Sequence, residues 1–329
     1  MTAGPICIGG LDRSGKTTLA AFLTSHPNIA IPPVGSNMWT YFRGRFGRLD
    51  IAENLERCLA AMLRYEHVRV LEPDLAWVRR TFDAGPATYP RLFAAFHEDY
   101  ARRQGKARWG EQTGRVERYA DEIFATFPAA RFVHMVRDPR DRYAASLEHW
   151  PDGRGRAGGA TARWCTSTRL AERHRRRYPG RYLVVRYEDL VTHPGETVRA
   201  VCEFLDEEYV PAMLAMPGAP DRRDRLAARS SLPPSSCPLT TEYIGRYRSV
   251  VPPHEIAFVQ MHARRLMRRY GYGAQPGALR GTGSARFVLD WPNQAARMVA
   301  WRAREAAERW WPAVAGRNPD SRTLVEASA

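Results

Sequence analysis

The segment ICIGGLDRSGKTTLAAFL, residues 6–23, limits the fold more than any other part of this 329-residue chain. An apolar run from Ile6 to Ile8 leads into glycines, and Gly10, Gly15, Lys16 and Thr17 stand in the spacing G-x-x-x-x-G-K-T before a helical stretch. A buried strand that turns through a glycine loop into a helix is a βα unit, and it requires further parallel strands beside it. Backbone N–H groups of such a loop, with the positive end of the helix, wrap a phosphate. Arg13 and Lys16 add charge there, and Thr17 and Thr18 add hydroxyl donors. A plain glycine turn would explain the glycines but not these four side chains. The loop does not say which phosphate ester it holds.

Two more runs read as buried parallel strands, Arg131–Val136 and Arg181–Tyr187, being short, apolar and rich in β-branched residues. Helical stretches alternate with them at Ile51–Tyr65, Val116–Phe127, Asp141–Trp150, Thr161–Tyr178 and Thr197–Leu205. The expected fold is therefore α/β, an open and mainly parallel sheet flanked by helices. After Tyr209 comes a Pro/Ser/Arg-rich loop, then a helix from about Pro253 that Gly271 and Gly273 can cap. A Gly-rich linker from Ala274 to Ser284 leads to a C-terminal amphipathic helix, about Pro292–Trp311. This divides the chain into a domain over residues 1–275 and an extension over 276–329.

All but two of the 50 basic residues are arginine, and the formal net charge is +15, which favours an anionic ligand unless coding bias explains it. The five cysteines are scattered without a C-x-x-C or Cys/His cluster, which argues for reduced thiols, a cytoplasmic setting and no metal site. No run is long enough to span a membrane. The Arg/Trp mixture of the last helix allows a membrane-surface contact, but packing on the domain or on a second copy in a homo-oligomer is preferred; nucleic acid is not expected as a partner.

The strand at residues 131–136 and the helix after it decide between readings of the glycine loop. RFVHMVRDPRDRYAASLEHW places Arg137 at a strand's carboxyl end and Ser146 two turns into the next helix, both toward the sheet edge where α/β ligands bind. They fit a clamp for a second phosphate, unless Arg137 and Asp138 simply cap the helix. GLDRSGKTT alone also resembles the loop of thymidylate-type kinases. Five segments in series, RSGKTTLAAFLTSHPNI, ARWGEQTG, FPAARFVHMVRDPRDRYAASL, YLVVRYEDLVTHPGETVRAVCEFL and EYIGRYRSVVPPHEI, resemble sulfotransferases that use 3′-phosphoadenosine 5′-phosphosulfate (PAPS). The resemblance is to the bacterial and carbohydrate-type branch and covers Ile6 to Tyr272.

That resemblance implies a residue for each task. Arg13, Ser14, Gly15, Lys16, Thr17 and Thr18 match the loop on the 5′-phosphosulfate, and Arg137 with Ser146 matches the clamp on the 3′-phosphate. Gly245, Arg246, Tyr247 and Arg248 match the late loop that closes over the adenosine, and Tyr187, Glu188 and Asp189 match a structural corner. Three departures stand out. Lys16 replaces a usual threonine, the serine is ninth rather than eighth after Arg137 because Ala145 holds the eighth place, and Gln112 replaces a frequent lysine.

The implied reaction is sulfuryl transfer from PAPS to a hydroxyl of a carbohydrate, glycolipid or natural product, with adenosine 3′,5′-bisphosphate as product. Arg13 and Lys16 would neutralise the leaving oxygen without a metal. Glu111 is the first candidate for the general base and His97 the second. Trp39, Tyr41 and Phe42 either line the acceptor pocket or pack in the core. The alternative is a P-loop kinase using ATP and magnesium, for which Asp138 is the one good metal ligand, although helix capping explains it equally well.

Overall fold

Ile6 and Ile8 point to one side of their strand and Cys7 to the other, and each side meets a separate apolar cluster. The computed structural model describes residues 4–149, 156–222, 239–276 and 282–310. Most of the Pro/Ser/Arg-rich loop, Cys237, Trp150 and the chain beyond Trp310 lie outside these residues.

The strands β1 (Ile6–Gly10), β2 (Ile29–Ala30), β3 (Arg108–Gln112), β4 (Arg131–Val136) and β5 (Tyr182–Arg186) form one sheet in the order β2-β3-β1-β4-β5. All the pairings are parallel. With β1 in the middle, the chain first builds one half of the sheet and then crosses to the other. That reversal leaves a crevice at the carboxyl ends of β1 and its neighbours, where open α/β sheets bind ligands. Phe132 and Tyr182 join Cys7 under one face, stacked at 4.6 Å, while Val133, Met135 and Val185 join Ile6 and Ile8 under the other. Helices cover both faces, as a parallel sheet requires.

The expected helices are present with shifted ends. The first runs Lys16–Thr24, and others run Ala52–Arg64, Pro139–His149, Arg156–Arg177, Pro194–Phe204 and Pro253–Arg269. The expected Val116–Phe127 helix is a short 3-10 turn, Val116–Tyr119, followed by a helix over Ala120–Thr126. Gly271, with φ +75°, ends the Pro253–Arg269 helix, and the N–H of Tyr272 donates back to the Met267 carbonyl at 2.9 Å.

The C-terminal helix starts earlier than expected, running Thr282–Trp310 with Pro292 inside it. Phe287, five residues before the proline, packs on the same cluster as Met298 and Trp301 beyond it. Contacts on both sides hold the helix through a residue that the sequence suggested as its start. No described helix is long and apolar enough to cross a membrane.

Candidate active site

Gly10 at the end of β1 pairs with Met135 at the end of β4, so the glycine loop and Arg137 emerge side by side at one edge. The loop lies close on its surroundings. A Cβ on Gly10 would sit 2.2 Å from the Met135 carbonyl oxygen, and one on Gly15 would sit 2.6 Å from the Tyr187 ring. Both glycines have left-handed φ, +105° and +94°. Only glycine fits either place.

No side chain caps the Lys16–Thr24 helix, which leaves its first N–H groups to an anion. Lys16, 8% exposed, turns its Nζ back to donate to the Gly10 carbonyl at 3.0 Å and to Asp12 Oδ1 at 3.4 Å. Ser14 and Thr18 are buried and Thr17 is half-buried, with Arg222 donating to Thr18 Oγ1 at 2.9 Å. Arg13 is exposed and holds a left-handed φ of +67°.

The guanidinium of Arg137, 6% exposed, donates from Nη1 to the Arg13 carbonyl at 3.0 Å and from Nη2 to the Tyr243 carbonyl at 2.8 Å. It also lies 4.2 Å from the centre of the Tyr187 ring. The glycine loop and Arg137 therefore touch. Arg137 Nε is buried with no hydrogen-bond partner among the described residues. A buried donor of this kind is open to a water or a ligand oxygen.

Asp141 builds the third wall. Its carboxylate accepts the N–H of Gly245 at 2.7 Å and the N–H of Tyr247 at 2.9 Å. Burial pushes its pKa up, against these two hydrogen bonds. Arg246 pairs with Glu148 at 2.7 Å, and the Tyr247 ring is buried with the Arg140 and Arg248 guanidiniums near it. Tyr247 thus offers the turn its backbone, while its ring belongs to the core. Ser146 is buried one helical turn beyond Arg142, on the face whose Arg142 reaches the Asp12 carbonyl; Ala145, in the eighth place, shares the Asp141 face instead. The one-residue shift therefore puts the serine on the Arg142 side of the helix rather than on the Asp141 side.

Glu111 and His97 meet. Both are 1% exposed, with His97 Nε2 3.6 Å from Glu111 Oε2. Glu111 Oε2 accepts from Ser36 Oγ at 3.0 Å, and the Trp39 side chain also donates to the carboxylate. Burial pushes Glu111 up to about 7 and His97 down to about 4. His97 Nδ1 donates to the Phe93 carbonyl at 2.8 Å, and its ring stacks on Trp109 at 5.2 Å. Trp39 and Phe42 are buried beside Phe93 and Tyr65, and Tyr41 packs edge-on to Tyr65. Core packing accounts for all three aromatic residues. Gln112 spends its amide on the Pro32 and Pro33 carbonyls, at 3.3 and 3.1 Å.

Asp138 is committed to the fold. Arg140 donates to both its oxygens, at 3.0 and 2.6 Å, and the Arg140 N–H donates at 2.9 Å. Glu188 accepts the Asp138 N–H at 2.9 Å and the Tyr272 hydroxyl at 2.8 Å, so the Tyr187–Asp189 corner anchors the start of the Pro139–His149 helix. A recess of about 450 Å³ opens behind that start, where the carboxylates of Asp138, Asp141 and Glu188 alternate with the guanidiniums of Arg140, Arg186 and Arg248; the Gly245–Arg248 turn borders it and no glycine-loop residue does.

Sequence reasoning missed Asp12, Arg142 and Glu117. Glu117 accepts the Gly10 N–H at 3.1 Å and the Ser167 hydroxyl at 2.5 Å, fixing the loop's first turn from below. Nothing local singles it out, since its partners lie far along the chain. Arg142 had a signal, a second arginine one helical turn after Asp138.

Residues 5–211 match the family model described as the sulfotransferase family. The fold is similar to the sulfotransferase domain of the olefin synthase from Synechococcus PCC 7002, with TM-score 0.56 and 22% identity over 83% of this chain and 97% of that one. It is also similar to the sulfotransferase domain of the curacin biosynthetic pathway, with TM-score 0.50 and 15% identity over 83% of this chain and 99% of that one. No curated protein matches the chain in sequence.

Proposed function

Because the chain belongs to the sulfotransferase family, we propose that it moves a sulfuryl group from PAPS to a hydroxyl of a carbohydrate, glycolipid or natural-product acceptor. The observation that carries this reading is the contact of Arg137 with the Arg13 carbonyl, which sets two cationic anion sites against each other at one sheet edge. A nucleoside phosphorylated at both ends has that charge pattern. The orphaned Arg137 Nε and the uncapped helix start are the donors it would satisfy.

Sulfuryl transfer is an in-line displacement in which charge builds on the oxygen bridging to the departing 5′-phosphate. PAPS supplies the activated sulfuryl group, and the chain supplies orientation and charge. Arg13, Lys16 and the helix N–H groups, with Ser14, Gly15, Thr17 and Thr18 around them, neutralise the leaving oxygen. Lys16 is already held at the loop by the Gly10 carbonyl and Asp12. Arg137 and the Gly245–Arg248 turn hold the 3′-phosphate and so fix the donor's register.

Glu111 is the proposed base. A carboxylate pushed up to about 7 has the proton affinity that general base catalysis favours near neutral pH. For it to reach an acceptor hydroxyl, the segment from Ser36 to Trp39 that covers it must part. His97 stands beside Glu111 at 3.6 Å, too far for a hydrogen bond. The kinase alternative keeps the glycine loop but loses Asp138 as a metal ligand, because Arg140 takes both its oxygens.

Adenosine 3′,5′-bisphosphate without magnesium should raise the melting temperature more than ATP with magnesium does, by the mass-action stabilisation of a ligand that binds only the folded state. Differential scanning fluorimetry over a ligand series reads this directly. A larger rise with ATP and magnesium would overturn the proposal.

A further inference from the structure

Arg142 is a buried guanidinium whose charge the carboxylate of Asp12 offsets. It lies on the helix Pro139–His149 and is 3% exposed. Its Nε donates to the Asp12 carbonyl at 3.1 Å, while its Nη1 is buried with no hydrogen-bond partner among the described residues. A carbonyl asks only for a neutral donor. Burial pulls Arg142 down to about 10, and Arg137 and Arg13 lie near enough to oppose its charge further. The carboxylate that offsets it, Asp12, is 59% exposed and already shared with Lys16. A buried cation with so thin a counter-charge is costly unless an anion completes the site.

We propose that Arg142 is a further donor-site residue, which fixes the Asp12–Arg13 stretch through the Asp12 carbonyl and offers its unpartnered Nη1 to the 5′-phosphosulfate end of PAPS. This deepens the sulfotransferase reading and rests on it. The division of labour is then specific. Arg137 answers for the 3′ end of the nucleoside and Arg142 for the 5′ end, although the two side chains leave the same helix start.

The experiment measures, by titration calorimetry on the full chain, the affinities of adenosine 3′,5′-bisphosphate, adenosine 5′-monophosphate and adenosine 3′-monophosphate. Arg142→Met should weaken the bisphosphate and the 5′-monophosphate about ten- to a hundredfold, the worth of one charge-assisted hydrogen bond, and leave the 3′-monophosphate within about twofold. Arg137→Ala should show the opposite selectivity, and Arg142→Lys should recover part of the 5′ affinity.

Equal losses for both monophosphates in Arg142→Met, or none, would overturn the assignment, because a merely structural role does not distinguish the two ends. If that variant does not fold, Arg142→Gln takes its place, keeping a neutral donor for the carbonyl and removing the charge. The proposal expects the same selective loss there, and retained 5′ affinity sinks it. Wild-type protein that binds none of the three nucleotides would remove the donor reading and the proposal together, a result unlike either of the others.

Discussion

Burial shifts Glu111 and His97 in opposite directions inside the core. Glu111 is pushed up to about 7 by burial, so it binds its proton more tightly folded than unfolded, and its contribution to stability is lost as pH rises from about 4.5 through 7. His97 is pulled down to about 4, so the folded state resists protonation, and its contribution is lost as pH falls from about 6.5 through 4. Over the shared window the two slopes have opposite signs and nearly cancel. Glu111→Gln keeps acceptors and donors for Ser36 and Trp39 but removes one slope. Its stability relative to wild type should therefore grow by about 3 kcal/mol between pH 4.5 and 7, a difference of that order following from the shift. Urea denaturation at pH 5 and pH 8 measures it, and a pH-independent difference would show that Glu111 titrates normally. The same pair shows how far single residues were legible. A carboxylate and a histidine separated by 14 positions stood out as candidate bases, but that they face each other depends on a helix and a strand meeting, which no local pattern encodes.

The Gly245–Arg248 turn depends on one carboxylate from another element. Asp141 accepts two of its N–H groups, so the helix that follows Arg137 also sets the position of the turn. Asp141→Ala should free the turn and weaken adenosine 3′,5′-bisphosphate about tenfold, as loss of charge-assisted hydrogen bonds would, while leaving adenosine 5′-monophosphate nearly unchanged. Calorimetry on both nucleotides tests this, and unchanged bisphosphate affinity would detach the turn from the donor site. Among the elements, β1, β4 and β5 were legible because their residues are apolar on both faces. The strand β3 was not, since its sequence RWGEQ reads as surface. Arg108 is nonetheless buried, donating to the Gly4 carbonyl at 2.7 Å and pairing with Glu207 at 3.1 Å, and Glu111 and Gln112 are buried against polar partners too. Polar groups satisfied by distant residues erase the hydrophobic signal that marks a strand. The helix Tyr89–Arg103 did carry one, with Thr88 capping the Arg91 N–H, Pro90 in the first turn, and Leu92, Phe93 and Phe96 on a buried face.

The division of the chain at residue 275 is best tested through Gly158, which the C-terminal helix meets backbone to backbone. A Cβ there would stand 2.0 Å from the Gln294 carbonyl oxygen, and the Gly158 N–H donates to Gln294 Oε1 at 2.9 Å. Farther along, Arg115 meets Glu305 at 2.5 Å and Glu308 at 3.0 Å, directly after the strand that carries Glu111. Met298 and Trp301 join Tyr143 and Tyr247 in one apolar cluster, so the extension packs against the helix that follows Arg137 and the turn that Asp141 holds. These contacts are those of a helix packed on the domain, one of the two packings the sequence preferred for it, although a Gly-rich segment looks like a linker whether or not the helix beyond it docks. If the joined description is right, Gly158→Val should push the helix outward, cost about 1–3 kcal/mol as overpacking does, and lower a single calorimetric transition by several degrees. The bisphosphate should bind more weakly in the same variant, because its 3′ clamp shares the disturbed cluster. A separate low-temperature transition, with the main melting temperature and the bisphosphate affinity unchanged, would instead mark residues 276–329 as an independent appendage.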